Sequence, residues 1–597
     1  MKILLAYRSG RPGAGDYFAR MMPVGLGYIN AALRARGFDA KLANLSGLAW
    51  PRIEALLRRE RPDLLGLTLY TFNRHAGLRL ARAAKAARPS CFVVAGGPHA
   101  AHLPRSLLAS CPALDAVAAG EGESLMVDLA RALAGGGDAR SVPGLHLRDG
   151  DGSVFTGLRD PIANLDAFPF PAPYYEGLHL DVAAESGFII TSRGCPGRCT
   201  FCNTPDFWGT RMRFRSAASV VEEIRFLARE RGILYVSIRD DTFTVHKRRL
   251  LDLCGRLQEA RLGVLWNCQS RVNAVDQERL DAMRRAGCEV VQYGLEGGSP
   301  RLLARLAKDI TPDQARAAAA ATRRAGMHLS VYLISAVPGE TDEDFEATRR
   351  LLREMRPHDA IVAPLAIYPG TALWEERKAA AGLDDAYWTA ERRDALYAMP
   401  AAARRRSHAR MARLCREAMA GGARGRGLGA SSTAPLADPE AGGPSGLVHG
   451  ADAASAGEGS EQTPGSAYTR ADLEAHKRRH PGAFAPILSS GLAHEAAGDA
   501  GSALKEYAEI LKLEPSNPWA LIRSAAVLAA CGDPDGARLY AEALTRAHPR
   551  HAPGHALLAE VHLAAGRRAQ ARAAARAAAG LDPRDASAAR LLRSLRA

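Results

Sequence analysis

No apolar run in the 597-residue chain approaches the roughly 20 residues that a helix needs to cross a bilayer. The opening MKILLAYRSG has too short an apolar stretch for a secretory leader and no small-residue cleavage site, so it reads as a strand. Both absences lead us to expect a cytosolic protein. Cysteine is sparse, ten residues with three of them inside eight positions, which fits a reducing compartment and a metal site better than a disulfide framework. Acidic residues are outnumbered 64 to 79 by Lys and Arg, for a net charge of +15. The arginines scatter over Ala-rich segments, and the densest run, 403–410, reads as a solvated helix face rather than a nucleic-acid or membrane patch. Length points to three or four domains, and 47% hydrophobic content is enough to bury real cores.

The clustered thiols are Cys195, Cys199 and Cys202, spaced Cys-x3-Cys-x2-Cys directly after the apolar run at 187–191. Thiolates are soft donors suited to zinc, Cu(I) or iron-sulfur clusters. A fourth Cys or His nearby would favour a closed zinc site, and none follows at ligand spacing. Three ligands leave one metal of a cubane cluster open to a substrate. The pattern resembles the radical SAM (S-adenosylmethionine) superfamily, with an aromatic, here Phe201, just before the third Cys. By that resemblance Cys195, Cys199 and Cys202 hold a 4Fe-4S cluster, and Phe201 belongs to the SAM-binding set.

Residues 1–150 alternate strand-like runs (3–7, 40–43, 64–70, 92–97, 115–120) with helical ones (25–36, 53–59, 76–87, 124–134), the mark of a doubly wound, Rossmann-like parallel sheet. Ligands of such sheets lie beyond the carboxyl ends of the strands, here the loops 66–70, 95–99 and 119–123. Composition alone allows any nucleotide-binding sheet. The loops are similar to those of the cobalamin-binding domain that precedes many radical SAM domains, which implies cobalamin contacts from Thr68, Gly96, Gly97, Gly120 and Glu121. The Asp-x-His-x-x-Gly that supplies a lower cobalt ligand in other cobalamin domains is missing, and Arg8 to Gly13 stands in its place, so no histidine serves there. His99 is left without a role. The alternative is a sheet that binds no corrin.

Residues 151–180 are Pro-rich and read as a connector. From 181 to 375 six further strands (188–191, 234–239, 264–268, 290–295, 329–336, 360–367) make a partial (β/α)6 barrel, whose polar strand ends should carry the chemistry. DDTF, GLEGGS, VPGET and YPGT resemble segments of the cobalamin-associated radical SAM branch. The resemblance implies that Asp240 or Asp241 and Glu296 contact the amino group or ribose of SAM, that Arg271 takes its carboxylate, and that Ser299 lies in the same site. For each carboxylate the plain alternative is a structural salt bridge or a helix cap. Cys254, Cys268 and Cys288 read as buried small apolar residues, Cys268 nearest the mouth. A methylthiotransferase needs three more cysteines in the N-terminal region, which has only Cys91 and Cys111.

Past the barrel the chain reads as helical, with 376–420 as an extension, and Trp374, Trp388 and Tyr397 are read as core-packing residues with substrate contact as the alternative. The stretch 421–467 is Gly, Ala, Ser and Pro and reads as a disordered linker. Beyond it three columns recur every 34 residues: Gly498, Gly532 and Gly566; Ala503, Ala537 and Ala571; Pro515, Pro549 and Pro583. That is the tetratricopeptide period, so 468–597 should be an all-α repeat array able to hold a protein partner. The expectation is a radical SAM enzyme that methylates an unactivated carbon with cobalamin. Its substrate is a small molecule, lipid or peptide, and its electron donor resembles ferredoxin or flavodoxin. A radical cyclase or mutase, or a repeat adaptor with a decayed enzyme domain, are the alternatives, and the intact cysteine triad argues against the last.

Overall fold

The computed structural model describes residues 1–9, 23–150, 152–175, 177–180, 187–390, 396–420 and 468–595. The linker 421–467 and residues 10–13 of the first loop lie outside the described residues.

The first sheet comprises β1 (Lys2–Tyr7), β2 (Asp39–Asn44), β3 (Leu64–Thr68), β4 (Phe92–Gly96), β5 (Ala116–Ala118), β6 (Leu145–Asp149), β7 (Gly152–Phe155) and β8 (Gly177–Leu178). Its order is β7-β6-β5-β4-β3-β1-β2-β8, parallel throughout except for the antiparallel β6 and β7. Every residue of β3 and all but the first of β1 are buried, as expected where helices cover both faces. The order reverses beside β1, so the ligand crevice of this fold opens between the carboxyl ends of β1 and β3. Two features were not expected. Residues 145–155 form a hairpin on one edge, and β8, inside the stretch read as a connector, joins the other.

The second sheet is formed by β9 (Phe188–Ile189), β12 (Tyr235–Ile238), β13 (Leu265–Ser270), β14 (Cys288–Glu296), β15 (His328–Ser335) and β16 (Asp359–Pro364), all parallel and in chain order, as a partial barrel requires. Its helices start where capping residues stand. Ser216 accepts from Ser219 N at 217–230, and Thr311 forms a capping box with Gln314 ahead of Pro312. Cys254 and Cys288 are fully buried, and so is Cys268, which sits in the middle of β13 and not at the mouth.

The extension after the barrel turns back to the first domain. Trp374 and Trp388 are 1% exposed, within the core that holds Leu78, Leu107 and Cys111. Arg74 Nε donates to the Trp388 carbonyl at 2.8 Å. Helix 401–420 lies on the barrel. In the basic run, Arg404 covers the Tyr397 ring at 3.8 Å and Arg410 the Phe345 ring at 4.1 Å, so part of that charge serves packing.

The repeat helices are Arg470–Arg479, Phe484–Ala496, Ala500–Leu513, Pro518–Ala530, Pro534–Ala547, Ala552–Ala564, Arg568–Leu581 and Ala586–Ser594. The periodic glycines have φ of 76°, 77° and 72° and end the first helix of each pair in the left-handed conformation. The periodic alanines are fully buried where paired helices touch. The array is seated on the barrel face opposite the mouth. Arg284, 1% exposed, donates to Ala485 O (2.9 Å) and Ser489 Oγ (2.5 Å) of the array and to Cys288 O (3.2 Å). Arg479 grips Asp281 with two bonds of 2.8 and 2.6 Å, and His551 donates to Gly232 O at 2.8 Å. Leu265 of β13 joins the core of Phe484, Ile487 and Leu488. Arg284→Ala strands buried carbonyls at this joint and should cost about 2–4 kcal/mol. Calorimetry should then show the repeats melting ahead of the barrel, whereas a single unchanged transition would count against a shared interface.

Candidate active site

The cysteine loop is a closed excursion. β10 (Ser192–Arg193) pairs antiparallel with β11 (Arg213–Phe214), setting Arg193 opposite Arg213. Within the loop Cys195 N donates to Gly209 O (3.3 Å), Cys202 N to Cys199 O (3.1 Å) and Thr200 N to Leu306 O (3.0 Å). The three thiols are free and half-buried. Cys195 Sγ lies 3.6 Å from Thr242 Oγ1, and Arg271 donates to Cys199 Sγ at 3.7 Å. Burial pushes the Cys202 thiol up to about 11, so a cation must displace its proton before it can ligate. Among the described residues no three His, Cys, Asp or Glu converge on a single ion. A cubane makes no such demand, since each thiolate binds a different iron. A soft, three-thiol donor set at the mouth of a parallel barrel therefore fits the cluster.

The residues implied for SAM separate by environment. Asp240 is fully buried. It accepts from Thr191 N (2.6 Å), Thr191 Oγ1 (2.5 Å) and Ser192 Oγ (2.6 Å), which ties β12 to the strand leading into the cysteine loop. Asp241 faces the open mouth and accepts from Thr204 Oγ1 at 3.1 Å. The protein crowded around its carboxyl, partly offset by Thr204, and the adjacent Asp240 push it up to about 7. Arg271 stands over the cysteine loop, bonded to the Lys308 and Asp309 carbonyls as well as Cys199. Glu296, in the left-handed conformation at φ 65°, is paired with buried Lys308 at 2.6 Å. Ser299 donates to Asp344 and caps the helix Pro300–Arg305, so its hydroxyl is engaged structurally. Phe201 packs on Leu306, Val337 and Leu365 beside the loop. Lys308 had drawn no attention in the sequence, because a lysine in an amphipathic run looks like any solvated one.

In the first domain Thr68 ends β3, and Gly97 follows β4 at φ 90°. A Cβ on Gly97 would lie 2.6 Å from Thr68 Oγ1 and 3.0 Å from the Leu69 backbone, so the two loops of the crevice touch only because residue 97 has no side chain. Gly96 and Gly120 lie on the same carboxyl edge, Gly120 at φ 91° with open space where a Cβ would be. Glu121 is different. Its oxygens accept from Arg193 (2.5 Å), Arg213 (2.6 Å) and Ile162 N (2.5 Å), all outside the sheet. Its carboxylate is thus committed to the barrel. His99, 1% exposed, pairs with Thr71 Oγ1 at 3.1 Å and meets the edge of Trp388.

Three family models match along the chain: B12 binding domain over 11–130, radical SAM superfamily over 189–352 and tetratricopeptide repeat over 495–561. The chain is 33% identical over 359 residues to an uncharacterized methyltransferase of Pyrococcus horikoshii, covering 59% of this chain and 78% of the relative. It is 26% identical over 388 residues to the anaerobic magnesium-protoporphyrin IX monomethyl ester cyclase of Rubrivivax gelatinosus, covering 63% and 70%. Among solved structures, the radical SAM methyltransferase TsrM of Kitasatospora setae, with cobalamin and a [4Fe-4S] cluster bound, shares the fold at a TM-score of 0.54 and 21% identity, over 63% of this chain and 74% of that one. The site is that of a radical SAM enzyme. The chain belongs to the cobalamin-binding branch of the radical SAM superfamily and carries tetratricopeptide repeats, and the cofactors of that branch are a 4Fe-4S cluster, SAM and cobalamin.

Two variants test this geometry. Gly97→Ala should destabilise the first domain by about 1–3 kcal/mol and weaken hydroxocobalamin binding in an absorbance titration; unchanged binding would remove the 68/97 contact from the crevice. Asp241 keeps its proton to about 7 when folded but loses it near 3.8 in the unfolded chain, so it withdraws stability as pH rises between those values. Asp241→Asn should flatten that part of the melting-temperature profile, and a profile parallel to wild type would show that the carboxyl titrates normally.

Proposed function

We propose that the protein is a cobalamin-dependent methyltransferase acting on an unactivated carbon of a small molecule, lipid or peptide. The observation that carries the reading is that the cysteine loop and the acidic loop beyond β5 are bonded to each other, so both cofactor regions open on one crevice. When bound, the cluster supplies the electron that splits SAM to a 5′-deoxyadenosyl radical, and cobalamin supplies the methyl group. Cys195, Cys199 and Cys202 hold the cluster. Arg271, bonded to Cys199, takes the SAM carboxylate in this reading, and Asp241, rather than the engaged Asp240, accepts a hydrogen bond from its amino group or ribose. Trp374 and Trp388 anchor the extension that follows the barrel in the core of the first domain. A low-potential one-electron donor of the ferredoxin or flavodoxin kind completes the electron balance. The repeats, seated on the far face, leave the mouth clear and are the surface for any protein partner.

The relative named as a cyclase favours a second reading, in which the same radical drives ring closure without methyl transfer. Anaerobic reconstitution with iron, sulfide and hydroxocobalamin, followed by reduction with SAM, separates the two. Bound cobalt with both 5′-deoxyadenosine and S-adenosylhomocysteine supports methyl transfer, whereas 5′-deoxyadenosine alone supports the cyclase. Cys199→Ala should lower 5′-deoxyadenosine formation by at least about 100-fold and leave the melting temperature close to wild type. Undiminished SAM cleavage in that variant would end the cluster assignment.

A further inference from the structure

Arg193 and Arg213 are neighbours across the two-stranded ribbon that closes the cysteine loop, one at each end of it. Both reach into the first domain. Arg193 bonds Glu121 at 2.5 Å and also Glu123, while Arg213 bonds the other oxygen of Glu121 at 2.6 Å. The group is nearly dry: the side chains of Arg193, Glu121 and Glu123 are 6%, 6% and 5% exposed, and that of Arg213 is 10%. Two cations face two anions, so the burial is balanced. Burial works against the charge of Arg193, but Glu123 and then Glu121 more than compensate. Its guanidinium also lies 4.9 Å from the ring of Trp208, just past the last cysteine, and 5.5 Å from that of Tyr28 in the first domain. Beside it Arg215 joins Glu223 and the Tyr28 hydroxyl (2.9 Å), a second bond between the same two units.

We infer that Arg193, Arg213, Glu121 and Glu123 form an interdomain clamp that fixes the separation of the two cofactors, the four acting as positioning residues for methyl transfer. This deepens the function proposed above and rests on it. Both ends of the cysteine loop are pinned, and they are pinned to the one loop that leaves the carboxyl edge of β5. A shift of the sheet against the barrel must therefore pull on the ligands of the cluster or break a dry ion pair. Splitting SAM needs only the cluster, whereas methylating cobalt from SAM needs the cobalt at a set distance from the sulfonium. The clamp governs the second and spares the first.

The test is Glu121→Gln/Glu123→Gln, placed in the first domain away from the cysteines, with Arg193→Lys as the conservative companion that keeps the charge. Each is purified as the full chain, reconstituted with cluster and hydroxocobalamin, and given SAM and reductant. The double variant should keep wild-type iron content and 5′-deoxyadenosine output while its ratio of S-adenosylhomocysteine to 5′-deoxyadenosine falls at least about tenfold, as expected when reacting groups drift by an ångström. Arg193→Lys, which keeps the charge and both carboxylates, should lower that ratio less than the double variant does. Hydrogen exchange should speed up in 119–124 and 192–214 and stay unchanged in β13 to β15. An unchanged ratio, or unchanged exchange in both segments, overturns the clamp. If the wild-type chain forms no S-adenosylhomocysteine, methyl transfer fails on its own, and the clamp then stands or falls on the exchange measurement.

Discussion

A dry ion cluster between two α/β units is the constraint on which the rest of this structure depends. Charges as buried as Arg193 and Glu121 forfeit several kcal/mol of hydration each, and mutual attraction returns that only when the geometry is satisfied on every side. Such a cluster adds little net stability, but it tolerates few alternatives. An apolar contact between sheet and barrel could slide by an ångström at little cost. A guanidinium held between two carboxylates cannot. The feature best explained by this joint is orientation: a mouth whose two walls come from different domains must keep its gap through every turnover.

The two ends of the barrel are closed by different physics, and the difference suits what each end does. At the mouth the contacts are charges and hydrogen bonds around an opening, with Trp374 and Trp388 of the extension anchored in the first domain. At the far end the repeat array meets the loops before β12 to β15 by close backbone approach. A Cβ on Gly232 would lie 2.3 Å from Arg550 O, and one on Gly263 2.5 Å from Pro518 Cδ. The far end is a seam of close contacts that also encloses, beside Gly263, a cavity of about 240 Å³ lined by Leu257, Trp266, Arg285, Phe484 and Glu514. This makes the repeats an integral floor of the barrel rather than a module swinging on a tether, and it narrows where a partner can bind to the surfaces that the barrel leaves uncovered.

Much of the architecture was legible because it is written in local periods. The βα alternation depends on neighbours two, three or four residues away and the repeat columns on a fixed step of 34 residues, and a single sequence carries both. The candidate cluster ligands stood out for the same reason, being three thiols on one loop. The rest of the site did not, because its roles are assigned by partners far along the chain. Glu121 was expected as a cobalamin contact, and nothing near it in the chain showed that Arg193 and Arg213, 72 and 92 residues away, hold its carboxylate. Ser299 stood one residue before a proline, a cap signature that could have been weighed more heavily. The hairpin at 145–155 is short and half-exposed, and it lacked the apolar run that marks the other strands.

Asp240 and Asp241 show the limit of residue-level inference most clearly. Side chains alternate in direction along extended chain, so two adjacent aspartates leaving a strand cannot both face the same surroundings. One had to turn inward and one outward, and composition is silent on which. The inward residue, Asp240, accepts from a backbone N–H and two hydroxyls and ties β12 to the strand that leads into the cysteines. Asp241 is pushed toward its neutral form chiefly by the protein crowded around its carboxyl, and Asp240 next door adds to that. The residue that ties the cluster loop therefore also adds to the proton affinity of the mouth carboxylate, so a change at Asp240 reaches both, whereas the crowding that dominates at Asp241 is a property of the mouth itself.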